Sequence, residues 1–188
     1  MKAEILKVKG TWRDVADSAR TTIGKDAGEG EPSSLWKRRM LLCEHSPIRQ
    51  LTVKAKWHGI KRWVSDHFVR HWLGVIHWVK TDRTDRTGID RDQLLQSNPT
   101  VHEFEANAQA IINISRKRLC NCASKETRAA WLEFLVAIED REPELYAVSQ
   151  PECIYRGFCP EYKSCGYHKT SNYKENLVKY REGINPIS

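Results

Sequence analysis

The 188-residue sequence has no apolar run long enough to act as a secretory signal or to span a bilayer. Its most apolar stretch, His71 to Val79, is short and flanked by Arg70 and Lys80. It also lacks a phosphate-binding glycine loop, a nucleophile elbow and a paired-carboxylate motif, so no enzyme class is recognisable and none is expected. Convincing strand alternation is missing too, which leaves helices as the expected scaffold. No membrane partner is expected. The expected location is the nucleus or cytoplasm, where six cysteines read as core residues or metal ligands rather than as a disulfide framework.

What is present places the chain among folded proteins: 40% of residues are hydrophobic and 29% charged. The formal net charge of +7 and pI of about 9.1 give the surface a positive potential that attracts polyanions. Nucleic acid, RNA or DNA, is the leading expected partner, although an acidic protein fits the same charge.

The spacing predicts a mainly α fold, a compact helical bundle with a C-terminal zinc-stabilised loop region. Residues 1–34 read as an N-terminal helix capped by Thr11 plus a flexible linker, 35–150 as the helical core, and 151–188 as the zinc-binding region with a last helix near 173–181. Within the core, Trp57, Ile60, Val64, Phe68, Trp72, Val75 and Val79 fall at three- and four-residue spacing, which predicts a central amphipathic helix from about Val53 to Lys80. Thr100 to Glu103 fits a capping box and predicts a helix from Val101 to about Leu119, followed by one opening at Ser124. The near-repeat of Asp-Arg-Thr at Asp82 and Asp85, with Gly88 after it, reads as a charged turn.

The densest chemistry lies near the C-terminus. Cys153, Cys159, Cys165 and His168 fall within sixteen residues, and three thiols with an imidazole suit a tetrahedral zinc ion. Three readings of this run stand side by side: zinc bound for recognition, zinc as a structural staple only, and buried thiols without metal. Cys43, His45, Cys120 and Cys122 form two further pairs that a second site would need to bring together.

Arg156-Gly-Phe158-Cys159-Pro resembles the turn before the second ligand of CCCH zinc fingers. The resemblance implies a finger that binds single-stranded RNA, with Cys153, Cys159, Cys165 and His168 as ligands and Tyr155, Phe158, Tyr162 and Tyr167 as stacking rings. The chain departs from that pattern in two ligand spacings. The tail, Cys165-Gly-Tyr-His168 with Tyr173 and Tyr180-Arg181, is similar to the end of the small nuclear nucleoprotein of bocaparvoviruses, which implies a viral nuclear role.

The expected function is therefore a zinc-stabilised, basic nucleic-acid-binding protein, of the viral accessory kind, acting in RNA processing or genome replication. Lys37, Arg38, Arg39, Arg116, Lys117, Arg118, Arg156, Lys163 and Lys169 would hold phosphates beside the finger aromatics. The competing expectation is a protein-binding adaptor or host-factor antagonist whose zinc is purely structural. His67, His71 and His77 could offer ligands or a base, but without the glutamate of the zinc protease motif they read as the polar edge of a helix.

Overall fold

In the computed structural model, which describes residues 1–182, the chain opens with a strand. β1 (Lys2–Lys9) is followed by α1 (Trp12–Thr21), α2 (Ser34–Leu42), β2 (Thr52–Lys61), α3 (Arg62–Val69), β3 (Val75–Val79) and α4 (Thr84–Thr87). Next come β4 (Pro99–Asn107), α5 (Ala108–Arg118), α6 (Lys125–Ile138), α7 (Pro143–Val148), α8 (Glu152–Arg156) and α9 (Ser171–Arg181). The four strands form one antiparallel sheet in the order β1-β2-β4-β3. The architecture is α/β, and the expected helical bundle is corrected accordingly. The last six residues of the expected 151–188 region lie outside the described residues.

The long central helix expected between Val53 and Lys80 is instead a strand, a short helix and a second strand. In β2 Ile60 is buried after the irregularity at Gly59, and before it the buried Val53, Ala55 and Trp57 alternate with Lys54, Lys56 and His58. That is the period of a strand with one face in the core. Beyond Ile60 the period changes to that of α3, which buries Val64, Ser65 and Phe68. Gly74 ends the expected helix: its φ is +73°, and a Cβ there would lie 2.6 Å from the Asn107 side-chain nitrogen.

The helix expected from Val101 is likewise a strand as far as Asn107, with Thr100, His102, Phe104 and Ala106 all facing inward. Glu103, read as a capping-box partner, lies on the opposite face and pairs with Lys54 at 2.7 Å and Lys56 at 2.8 Å. The true cap is Asn107, whose side-chain oxygen accepts from the Ala110 amide at 2.8 Å and so starts α5. Other local expectations match the structure. Thr11 and Asp14 form a reciprocal capping box on α1 and Ser124 caps α6; Ser33 caps α2 in the same manner.

Helices α3, α5 and α6 cover one face of the sheet. Trp57 stacks between Phe68 and Phe104, with ring centroids 4.6 and 4.5 Å away, and Trp131 and Phe134 complete the cluster. Both buried indoles are satisfied: Trp57 donates to the Ala130 carbonyl at 3.0 Å and Trp131 to the Ser115 hydroxyl at 2.8 Å. The other face carries Lys9, Lys54, Lys56, Glu103 and Glu105 in cross-strand ion pairs. Lys54 also lies over the Trp78 ring, 4.8 Å from its centroid. None of the described helices is long and apolar enough to cross a membrane.

Candidate functional site

A chain of buried polar groups runs across the end of the sheet where β3 meets β4. The register sets Val79 opposite His102 and His77 opposite Phe104, so the two imidazoles are diagonal neighbours on the inner face. The Nε2–H of His77 donates to the His71 carbonyl at 2.8 Å, which leaves its Nδ1 to accept. The His102 Nε2–H donates to that nitrogen at 2.9 Å, and the Ser65 hydroxyl donates to His102 Nδ1 at 2.9 Å. A carbonyl at one end therefore sets the tautomer of both rings. Arg118, near the end of α5, donates through Nε to His71 Nε2 at 2.8 Å and through a terminal nitrogen to the His67 carbonyl at 2.7 Å.

This setting disfavours a positive imidazole. Burial, then the neighbouring His77 and Arg62, lower the His102 pKa to about 3. His71 is lowered to about 4 by burial, Arg118 and His77, and His67 is lowered by burial and by Arg118 and Arg70.

Arg62 links this network to the surface. Its backbone N–H donates to the Asn98 carbonyl at 3.0 Å, while its guanidinium donates to the Lys80 carbonyl at 3.1 Å and pairs with Asp82 at 2.8 Å. It thereby holds both ends of the 80–98 connection between β3 and β4. Between them opens a concavity of about 250 Å³ lined by Arg62, Arg83, Arg91, Leu94, Leu95 and Gln96, with Thr81 and Asp82. Arg83 makes a two-pronged contact with Asp85 at 2.9 and 2.8 Å. Arg86 and Arg91 approach their acidic neighbours only to 3.8 and 3.9 Å, beyond hydrogen-bond distance, and both side chains are about two-thirds exposed. Their forked donors are thus available to an oxyanion. At the start of β3, the opposite end of that strand from the 80–98 connection, Trp72 and Leu73 are 70% and 71% exposed, and Ile76 and Trp78 project from the outer face of β3.

The residues expected to bind zinc converge without making a metal centre. Cys120, Cys153, Cys159, Cys165 and His168 line one cavity of about 10 Å³, and all six cysteines are free thiols. Among the described residues no group of three or more His, Cys, Asp or Glu side chains is arranged to hold a metal ion. The zinc expectation is corrected on that ground, and with it the reading of a CCCH finger. His168 has its Nδ1 3.0 Å from the Ser164 hydroxyl. Cys43 and His45 end α2 elsewhere, with the Cys43 thiol donating to the Met40 carbonyl, so they do not join Cys120 and Cys122 in a second site.

Most of the expected phosphate-holding side chains serve the fold. Lys37 pairs with Glu31 at 2.7 Å and lies over the Trp12 ring. Arg38 donates to the carbonyls of Lys179 and Tyr180, Arg39 sits beside them on α2, and Arg116 pairs with Glu44 while lying over Tyr155. Lys117 and Arg156 both reach Glu152. The Tyr167 hydroxyl accepts from Asn176, and the Lys163 carbonyl lies 3.6 Å from the Cys122 thiol. Phe158, Tyr162, Lys163 and Lys169 are exposed. The sequence reading passed over the 80–98 connection as a charged turn. The signal it offers in the sequence is the pair Arg86 and Arg91 on either side of Gly88, whose φ is +71°.

No protein-family model and no curated protein sequence matches the chain. Solved structures do. One is the flavin-dependent thymidylate synthase ThyX from Helicobacter pylori complexed with FAD and dUMP, at a TM-score of 0.66 and 13% identity, covering 80% of this chain and 100% of that one. A second structure of the Helicobacter pylori enzyme with FAD and dUMP matches at 0.65 and 13% identity, over 78% and 97% of the two chains. The UMP/dUMP methylase PolB from Streptomyces cacaoi, bound with 5-Br dUMP, matches at 0.63 and 13% identity, over 84% and 95%. The chain is similar to these proteins in fold. Neither a zinc finger nor a bocaparvovirus protein is among these neighbours. All three are enzymes that hold small molecules, which overturns the expectations of a non-enzyme, of nucleic acid as partner and of zinc as cofactor.

Proposed function

We propose that this protein is a flavin-dependent enzyme acting on the uracil ring of a uridine monophosphate, either the ribonucleotide or the deoxyribonucleotide. The observation that carries the reading is the fold, shared over nearly the whole length of three structures whose names specify FAD, dUMP or UMP/dUMP methylation. Because a fold hosts many chemistries, the site must also fit. Here a nucleotide phosphate or a flavin pyrophosphate meets Arg86 and Arg91, whose donors are not consumed by their acidic neighbours. A planar ring system meets the part-exposed indole of Trp78, two residues before the connection opens at Lys80.

A bound flavin would supply electron-pair transfer, which none of the side chains at this site provides. The chain's own contribution is to hold and orient. Arg62 keeps the 80–98 connection closed on itself, while the Ser65–His102–His77 chain fixes the β3–β4 end of the sheet beneath it. Both supports are buried or braced from several sides, as a binding constellation requires.

The test is direct binding by the purified protein. FAD is titrated by quenching of its fluorescence, and dUMP and UMP by calorimetry in its presence. Saturable binding of FAD, together with tighter binding of a uridine monophosphate than of cytidine monophosphate, is expected. Absence of binding by both FAD and the uridine nucleotides would sink the proposal.

A further inference from the structure

Five of the six cysteines lie together although they come from three separate segments. Cys120 and Cys122 are in the turn between α5 and α6, Cys153 is in α8, and Cys159 and Cys165 are in the connection that follows it. Within that group the Cys122 thiol is an electrostatic neighbour of both Cys120 and Cys165, and burial with these neighbours pushes its pKa up to about 11. It also donates to the carbonyl of Lys163 at 3.6 Å, two residues before Cys165. Cys122 and Cys165 are exposed, whereas Cys153 is buried. The cluster therefore has an accessible edge at which the Cys122 thiol lies against the 163–165 segment that carries the exposed Cys165. Cys120 and Cys122 are separated by a single residue, with the Cys122 amide donating to the Cys120 sulfur at 3.5 Å.

We propose that Cys122 and Cys165 are a redox modification site, which a low-molecular-weight disulfide of the glutathione type converts into an internal disulfide that ties the α5–α6 turn to the 157–166 connection. The Cys165 thiol loses its proton and its sulfur attacks the small disulfide, breaking that S–S bond and releasing one small thiol. Cys122, held as a donor to the Lys163 carbonyl, then gives up its proton and attacks the Cys165 sulfur. This displaces the second small thiol. Two protein thiols are oxidised by two electrons, the small disulfide is reduced to two thiols, and the two protons go with them. The proposal does not depend on the flavin reading.

The experiment uses the full chain, incubated with oxidised glutathione and then alkylated. Loss of two of the six titratable thiols is expected. A non-reducing tryptic digest should link the peptides Leu119–Lys125 and Ser164–Lys169, and dithiothreitol should reverse the link. Cys122→Ser and Cys165→Ser should each abolish the link, whereas Cys120→Ser and the remote Cys43→Ser should retain it. The wild-type digest reports independently of how the variants fold. The proposal is overturned if all six thiols persist, if glutathione stays on Cys165 without a cross-link, or if other cysteines are joined. It is equally overturned if the purified protein carries a metal ion that blocks these thiols until a chelator removes it.

Discussion

Between pH 7 and pH 5 the folded protein keeps buried imidazoles neutral while the unfolded chain protonates them, and His102 sets the scale of the resulting loss of stability. Its ring is fully buried, both nitrogens are already engaged, and burial with the nearby His77 and Arg62 lowers its pKa to about 3. In the unfolded chain an imidazole titrates near 6.5, so the unfolded state binds the additional proton first as the pH falls. A depressed folded value means that the stabilisation is fully present above about pH 6.5. It shrinks as the pH falls and is gone below about pH 3. At about 1.4 kcal/mol per pH unit, His102 alone removes about 2 kcal/mol between pH 6.5 and pH 5. His71, lowered to about 4 by burial and then by Arg118 and His77, acts in the same direction with a smaller effect because it is partly exposed. The carboxyls of Glu44, Glu103 and Glu152 are lowered as well, but their windows open below about pH 4.5. Glu142 is raised by burial and opposes the trend weakly near the acid end. Urea denaturation at pH 7.5, 6.5, 5.5 and 5.0 should show stability falling by about 2–4 kcal/mol, a large share of a typical total. His102→Gln removes one titrating group and should flatten that slope by about one proton. A wild-type midpoint constant between pH 7 and pH 5, or a variant slope equal to the wild type, would refute this reading of the network.

Three further outcomes follow from particular contacts. Arg86→Ala and Arg91→Ala should each weaken uridine monophosphate or FAD binding by about 10- to 100-fold, the worth of a charge-assisted hydrogen bond, with thermal stability unchanged; calorimetry beside a melting curve separates the two effects. Gly74→Ala places a Cβ against Asn107 at a positive φ. It should destabilise by about 2–3 kcal/mol through backbone strain and the disturbed α5 cap, read as a lower urea midpoint. Oxidation that joins Cys122 to Cys165 should stabilise by up to about 4 kcal/mol in the chain-entropy account, seen as a melting temperature that falls when dithiothreitol is added.

The parts of the fold legible in the sequence are those fixed within a few residues. Caps at Thr11, Ser33 and Ser124 and the helices behind them depend on local hydrogen bonds, so residue type and spacing suffice to find them. The sheet is different. Val53, Trp57, Ile60, Val64 and Phe68 satisfy a helical period across a junction where a strand passes directly into a helix. The period-2 set Val53, Ala55 and Trp57 is too short to outvote it. At Thr100 to Glu103 a capping box is chemically available, yet the chain forgoes it. Pairing β4 with both β2 and β3 buries His102, Phe104 and Ala106 at once, and no local cap offsets the loss of that burial.

The same distinction explains the site. A cysteine and histidine run within sixteen residues is visible because it is local, and it attracted the whole functional reading. The structure gathers that run around one small cavity together with Cys120 from another segment, and leaves His168 beside Ser164. The groups that form the candidate site are joined only by strand register and by Arg62, which ties residue 62 to residues 80, 82 and 98. Ser65, His77 and His102 make one hydrogen-bonded line, yet they stand in a helix and two strands, at no spacing that a motif could express. Their chemistry exists only once the strands are paired. A substitution that shifts the β3–β4 register should therefore abolish the His77–His102 contact and ligand binding together, while leaving the locally capped helices in place.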